Sequence, residues 1–174
     1  MVKTLDPSKH KAAATKTPAR SKSTRAARAK ARGGWVEYWV HGPAGKRANT
    51  DRSPSTMIEA LKAGLPFSEL EDLRSALGLP MDKLSPLLGL SKATLHRRKI
   101  AGKLDAAESG RVARFARLLG QAAAVMESLE TGRRWLAMPQ AGLGGATPLE
   151  YAETEIGARE VENLLGRIEY GVYS

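Results

Sequence analysis

Residues 81–99 read Met-Asp-Lys-Leu-Ser-Pro-Leu-Leu-Gly-Leu-Ser-Lys-Ala-Thr-Leu-His-Arg-Arg-Lys, and their reading decides the fold. Leu84, Leu87 and Leu88 recur at three- and four-residue steps, the buried stripe of a short helix. Gly89-Leu90 supplies a tight turn, Ser91 an N-cap, and Leu95 the inward side chain of a second helix. This spacing predicts a helix-turn-helix. On a recognition helix the N-terminal positions meet base edges and the later cations meet phosphates. The candidate DNA-binding set is therefore Ser91, Lys92, Thr94, His96, Arg97, Arg98 and Lys99, with Lys92, Thr94, Arg97, Arg98 and Lys99 expected to point outward. The plainer alternative is an ordinary helical hairpin whose Arg97-Arg98-Lys99 end is solvated and complements the helix dipole. Pro86 removes a backbone donor within the first helix, which predicts a kink or a late start.

Downstream the helical pattern continues. Val112, Phe115, Leu119, Ala122, Met126 and Leu129 follow alternating steps of three and four, as do Val161, Leu164, Leu165 and Ile168. The stripe Val112, Phe115, Leu119, Ala122 and Met126 is either internal core or the contact between two copies. A second copy is expected because one helix-turn-helix covers only a half-site. Thr56 with Glu59 and Ser68 with Glu71 have capping-box spacing, Asp105 with Glu108 imitates it, and Thr147-Pro148-Leu149-Glu150 orders a cap, a first-turn proline and a carboxylate. No alternating apolar run long enough for a strand follows residue 54, so the body is expected to be all-α.

Upstream, Trp35-Val36-Glu37-Tyr38-Trp39-Val40 places three of the nine aromatics in five residues. These read as an anchor, strand or helical turn, that pins the preceding segment to the body. A base-stacking platform fits less well, because no cations are interleaved. The run Gly42-Pro-Ala-Gly45-Lys46-Arg47 lacks the glycine spacing and the Ser or Thr of a phosphate loop.

Residues 1–33 hold ten Lys and Arg against one acid, Asp6, which leaves eighteen bases and seventeen acids to residues 34–174. The pI near 10.1 therefore belongs to a basic arm on a balanced body. Built of Ala, Lys, Arg, Thr and Ser, the arm cannot bury enough surface to offset ordering and is expected to be disordered when free. Nucleic-acid binding and a solubility tail both explain its charge. A transit peptide would carry an amphipathic stripe, and a secretory signal an apolar core, and neither pattern is present.

The chain has no cysteine and only His10, His41 and His96. No thiolate metal site, zinc-finger spacing or nucleophilic triad can be assembled, so no metal, cofactor or enzymatic activity is expected. The longest apolar run, Ala122 to Met126, is far shorter than the ~20 residues of a membrane span. A soluble, cytoplasmic protein is expected, nucleoid-associated when bound to DNA.

Residues 56–174 resemble the Xre/MbcA/ParS antitoxins of bacterial modules whose toxins carry the RES domain. The resemblance rests on Ala60-Leu-Lys-Ala-Gly-Leu-Pro66, Gly89-Leu-Ser-Lys-Ala-Thr-Leu-His-Arg-Arg98, Arg134-Trp-Leu136 and Leu143-Gly-Gly-Ala-Thr-Pro-Leu149. It rests equally on the closing runs Thr154-Glu-Ile-Gly-Ala-Arg159 and Leu164-Leu-Gly-Arg-Ile-Glu-Tyr-Gly-Val-Tyr173. Pro86 and the long basic arm depart from the family pattern. The resemblance implies a helix-turn-helix half that represses its own operon and a C-terminal helical half that binds a RES toxin and blocks its NAD-consuming site. It implies no activity of the chain's own. The expected organisation is a disordered basic arm (1–33), an aromatic anchor and loop (34–54), a helix-turn-helix domain (55–104) and a toxin-binding domain (105–174). Expected partners are the toxin, operator DNA and a second copy. A sequence-nonspecific, histone-like architectural protein is the alternative, but it gives the apolar C-terminal segment no task.

The expected toxin-binding residues are Arg167, Glu169, Tyr170, Gly171, Val172, Tyr173 and Ser174. A pocket for NAD holds a pyrophosphate and planar rings, and this segment offers tyrosines and acidic groups. Gly171 would permit the turn that aims them.

Overall fold

The computed structural model describes residues 34–42 and 52–171. The expectations for the arm, for Lys46 and Arg47, and for Val172, Tyr173 and Ser174 lie outside these residues. Among the described residues the chain is helical: α1 (Trp35–His41), α2 (Pro54–Ala63), α3 (Phe67–Leu77), α4 (Met81–Leu87), α5 (Lys92–Ala101), α6 (Ala106–Val125), α7 (Leu129–Ala137), α8 (Pro148–Tyr151) and α9 (Glu155–Glu169). A 3₁₀ turn, Ala141–Leu143, precedes α8. The aromatic anchor is thus helix rather than strand.

Local chemistry fixes most helix starts. The Glu108 amide donates to Asp105 at 2.7 Å and the Asp105 amide to Glu108 at 2.8 Å, a complete capping box at the head of α6. Thr147 and Glu150 close a second box around Pro148 at the head of α8. Two expected caps move. Ser53, not Thr56, caps α2, because Pro54 occupies the first helical position and the Thr56 amide donates back to Ser53 Oγ at 3.4 Å. Helix α3 begins at Phe67, not after Ser68, because Phe67 enters the core and its amide is held by the Gly102 carbonyl at 3.1 Å.

The long helix α6 is the axis of the core. It packs against α1, α2 and α3, and also against α7 and α9. Val112, Phe115, Leu119 and Ala122 have no exposed surface within the single chain. Of the two readings of this stripe, core or contact between copies, its burial is that of internal core, and Met126 lies partly buried at its edge. On the α1 side, a Cβ at Gly120 would run into the Trp39 carbonyl, so glycine there lets the two helix backbones touch. On the α9 side, Val161 and Leu165 are buried while Leu164 and Ile168 are partly so.

Helix α1 is fastened by charge as well as by packing. Glu69 in the first turn of α3 accepts from the amides of Trp35, at 3.0 Å, and Val36, at 2.9 Å. It thus caps α1 from a distant element, satisfying amides that a helix start leaves unpaired. Burial raises the Glu69 carboxyl above its ordinary value, and the two amides act against that rise. Arg52 closes the clasp, stacking over Trp35 and Tyr38 with its guanidinium carbon 5.3 Å and 4.6 Å from the ring centres. It also donates to the Gly34 carbonyl at 3.1 Å.

Candidate functional site

Helix α4, its turn and α5 form the expected helix-turn-helix. Pro86 lies in the last turn of α4, where it forgoes one helical hydrogen bond, and the helix still begins at Met81. The chain then reverses at Gly89, whose φ of +61° is in the left-handed region. The Gly89 and Leu90 amides return to the Pro86 and Ser85 carbonyls, both at 2.8 Å. Leu90 fills the corner and is buried with Leu84 and Leu88. Ser91 caps α5 by accepting from the Thr94 amide at 3.1 Å. The far end of α5 is tied to the start of α3 through Phe67 to Gly102, with Leu104 donating to Leu65.

The helical step of about 100° then sorts the α5 side chains. Leu95 is half-buried against the body. Ala93, Arg97 and Ile100 lie opposite it, all exposed, and Ile100 is 75% exposed. Arg97 is the cation that points straight outward. His96 and Lys99 are exposed but border the groove that α5 makes with Phe67, Glu71 and Arg74 of α3. Lys92 borders the apolar groove against Met81, Ser85 and Pro86. The Thr94 hydroxyl is engaged with Ser91 Oγ at 2.9 Å.

Arg98 departs from the expectation that it points outward. Its Nε donates to Glu108 Oε1 at 2.9 Å and its Nη2 to Asp105 Oδ2 at 2.6 Å. The side chain turns inward because its helical position faces the α6 capping box, whose two carboxylates attract it. The Glu108 hydrogen bond holds the Arg98 guanidinium above its usual pKa. The Asp105 carboxyl lies below its ordinary value, chiefly because it accepts the Glu108 amide, with Arg98 beside it.

The second candidate surface is the end of α9. That helix is tied to α6 by Arg114 with Glu155 at 2.9 Å and Arg117 with Glu162 at 2.6 Å, so its terminus projects from a fixed base. Arg167 is partly buried alongside Gly142, Glu169 is exposed, and Tyr170 is 80% exposed. Gly171 has φ +67°, the left-handed turn expected of it. Ile156, Glu160, Asn163, Arg167 and Tyr170 follow four- and three-residue steps along one face of α9. Ile156 on that face is 78% exposed, and Tyr151 of α8 is also exposed. The sequence signal for this face is an isoleucine in line with polar residues, opposite the Val161–Leu165 stripe. Among the described residues no group of His, Asp or Glu side chains is placed to hold a metal ion, and no helix is long and apolar enough to cross a membrane.

Residues 56–117 match the family model for the antitoxin Xre-like helix-turn-helix domain. Residues 121–171 match that for the antitoxin Xre/MbcA/ParS C-terminal toxin-binding domain. The two matches meet within α6. "Antitoxin Xre" of Yersinia enterocolitica is 31% identical over 123 residues, which cover 69% of this chain and 82% of the relative. "Antitoxin Xre" of Photorhabdus laumondii is 33% identical over 116 residues, covering 66% and 78% respectively. A "Prs ADP-ribosylating antitoxin" of a Sphingobium species is 30% identical over 132 residues, covering 70% and 83%. With an elbow of helix-turn-helix geometry ahead of a braced C-terminal helix, and family matches over both, the chain belongs to the Xre/MbcA/ParS antitoxins and carries a helix-turn-helix domain and a toxin-binding domain.

Proposed function

We propose that this antitoxin neutralises a RES-domain toxin that degrades NAD, by closing the toxin's cleft with its C-terminal segment, and that it represses its own operon by binding operator DNA through α5. The observation that carries the first half is Tyr170, 80% exposed at the end of a helix held to α6 by two interhelical ion pairs. A large aromatic held out on a rigid base is suited to fill a partner's pocket. Arg167, Glu169 and Gly171 flank it, and Val172, Tyr173 and Ser174 continue the segment. The Sphingobium relative's name includes ADP-ribosylation, a chemistry whose usual ADP-ribose donor is NAD.

The second half is supported by the match over residues 56–117, which favours sequence-directed binding over the histone-like alternative. Arg97 reads bases, Lys92, His96 and Lys99 approach phosphates, and Ser91 with Thr94 sets the head of the helix. Arg98 acts by holding α5 in place. The protein acts as a homodimer on paired half-sites about 34–36 Å apart or at multiples of that spacing. It works in the cytoplasm and has no catalytic activity of its own.

The test is co-purification of the chain with the product of its neighbouring gene, followed by NAD consumption assays and mobility shifts on the upstream region. Stoichiometric capture, suppressed NAD loss and a specific shift are expected. A neighbour that binds but leaves NAD untouched would remove the RES reading and keep the toxin-binding one.

A further inference from the structure

The turn between α4 and α5 is met by a cation from outside both helices. Helix α6 carries Arg111, Arg114 and Arg117, and the last two are engaged with α9 through Glu155 at 2.9 Å and Glu162 at 2.6 Å. Arg111 makes no ion pair among the described residues. Its Nε reaches only the Ala107 carbonyl, one turn back, at 3.4 Å. Asp105 feels its charge as the smallest of the influences on that carboxyl, which Arg98 already holds at 2.6 Å. The Arg111 guanidinium is directed instead to Gly89, where an added Cβ would stand 2.7 Å from Nη1. Gly89 therefore serves twice, supplying the left-handed turn and leaving room for this cation. Arg111 is half-buried, whereas Gly89, Ser91 and Lys92 are exposed, so the guanidinium arrives at the open edge that leads into α5.

The place of that edge beside α5 gives the charge a use. A helix lying in the major groove has a phosphate backbone on either side, the groove being about 12 Å wide. Lys92 and Lys99 stand seven residues apart, about 10 Å along α5, with Arg97 between them. His96 and Lys99 border the groove on the α3 side, while Lys92 and Gly89 share the one on the α4 side. Arg98 is neutralised by Asp105 and Glu108, which leaves Lys92, Arg97 and Lys99 as the exposed Lys and Arg side chains of α5. The Gly89 edge thus has Lys92 from α5 and Arg111 from α6. A planar guanidinium matches two phosphate oxygens at once, which an ammonium does not.

We propose that Arg111 is a phosphate contact of the DNA-bound protein, gripping the backbone on the side of the α4–α5 turn, across the groove from the flank met by Lys99. The proposal rests on the reading of α5 as the DNA-binding helix. The contact is to backbone rather than to base edges, because the Arg111 stem is rooted in α6, outside the helix that enters the groove. Sequence alone assigns a DNA contact to Arg98 and none to Arg111, and the fold exchanges them: Arg98 turns to the carboxylates of the α6 capping box and Arg111 to the turn.

The experiment uses the full chain with two neutral variants, Arg111→Gln and Arg111→Met, and one that keeps the cation, Arg111→Lys. Binding is measured against salt on a duplex of the gene's upstream region and on a random-sequence duplex of equal length. Both neutral variants are expected to lose about 0.9 of the salt slope on both duplexes, with the ratio of the two affinities unchanged, while Arg111→Lys keeps the slope. Ethylation interference is expected to show a phosphate at the edge of the α5 footprint whose modification weakens the wild type and leaves the neutral variants indifferent. An unchanged slope overturns the proposal, and so does a slope that falls on the upstream duplex alone. Neutral variants that no longer fold, or that lose capture of the neighbouring gene's product in place of DNA affinity, overturn it as well. The reading of α5 is tested apart by Arg97→Ala. If that variant keeps full preference for the upstream duplex, α5 is not the reading helix, whereas the slopes of the Arg111 variants still decide the phosphate contact.

Discussion

The guanidinium of Arg98 donates to the buried carboxylate of Glu108 at 2.9 Å, joining the last turn of α5 to the first turn of α6. A residue that by sequence belongs to a basic run therefore serves the interior. Since α6 is also the axis on which α7 and α9 pack, the same ion pair links the placement of the recognition helix to the scaffold of the toxin-binding half.

The Arg97-Arg98 pair should therefore split into two phenotypes. Arg97→Ala is expected to cost about 1–3 kcal/mol of operator discrimination, with thermal stability unchanged. Arg98→Ala leaves Glu108 buried without its cation and should lower the melting temperature and weaken operator binding together. Adding Glu108→Gln to Arg98→Ala should restore part of the stability. Thermal melts beside mobility shifts check this, and wild-type stability in Arg98→Ala would refute the assignment.

The acid limb of stability should show two opposed contributions. The folded Glu69 carboxyl titrates above its ordinary 4.5, so the folded state binds more protons there and stability falls as pH rises from about 4.5 through the raised value. The Asp105 carboxyl titrates below its ordinary 3.8, so its contribution is present above that pH and lost as pH falls through the lowered value. Glu69→Gln should flatten the upper window alone, at a cost of about 1–3 kcal/mol for the amide left without an acceptor. Asp105→Asn should flatten the lower one. Denaturant titrations across pH 3–7 would expose a failure as a Glu69→Gln profile parallel to the wild type.

The helix-turn-helix was legible because its signals are local. Glycine at the turn, serine at the cap and leucines at the inward steps lie within nineteen residues. The boxes at Asp105 and Thr147 were legible for the same reason. What escaped is long-range. Nothing near Arg98 announces that Glu108 will fold against it, and nothing near Trp35 announces Glu69 as its cap. The stripe on α6 was seen, yet periodicity cannot say which element covers it. The exposed line from Ile156 to Tyr170 was not drawn from the sequence, because only the packing of Val161 and Leu165 fixes which side of α9 faces outward.

Burial of the α6 stripe within one chain has a measurable consequence. Phe115→Ala removes a ring with no exposed surface and should destabilise the folded chain by about 3–5 kcal/mol. It should do so without a concentration-dependent component, because the cavity lies inside a protomer. Sedimentation and denaturant unfolding at two protein concentrations provide the check. A mutant that dissociates an otherwise wild-type dimer without loss of intrinsic stability would return the stripe to an interface.

Neutralisation divides into three separable contributions along α9. Ile156 and Tyr170 are the exposed apolar ends of one face, and Glu160, Asn163 and Arg167 lie between them. If the cleft is closed by an aromatic at the tip, Tyr170→Ala should weaken toxin binding by about 2 kcal/mol or more, the size of a central interface residue. Ile156→Ala, nearly four turns away, should cost much less. If instead the whole face packs beside the cleft, the two substitutions should cost similar amounts. Charge mimicry of a phosphate is tested apart from both: Glu169→Gln keeps the shape and removes the negative charge. Removal of residues 167–174 leaves Val161, Leu165 and the Arg114 and Arg117 pairs intact, so α9 keeps its seat on α6. That truncation should release NAD consumption by the co-expressed toxin while operator binding persists. Full silencing by the truncated chain would place inhibition on the remaining face of α9, with Ile156 as the next residue to change.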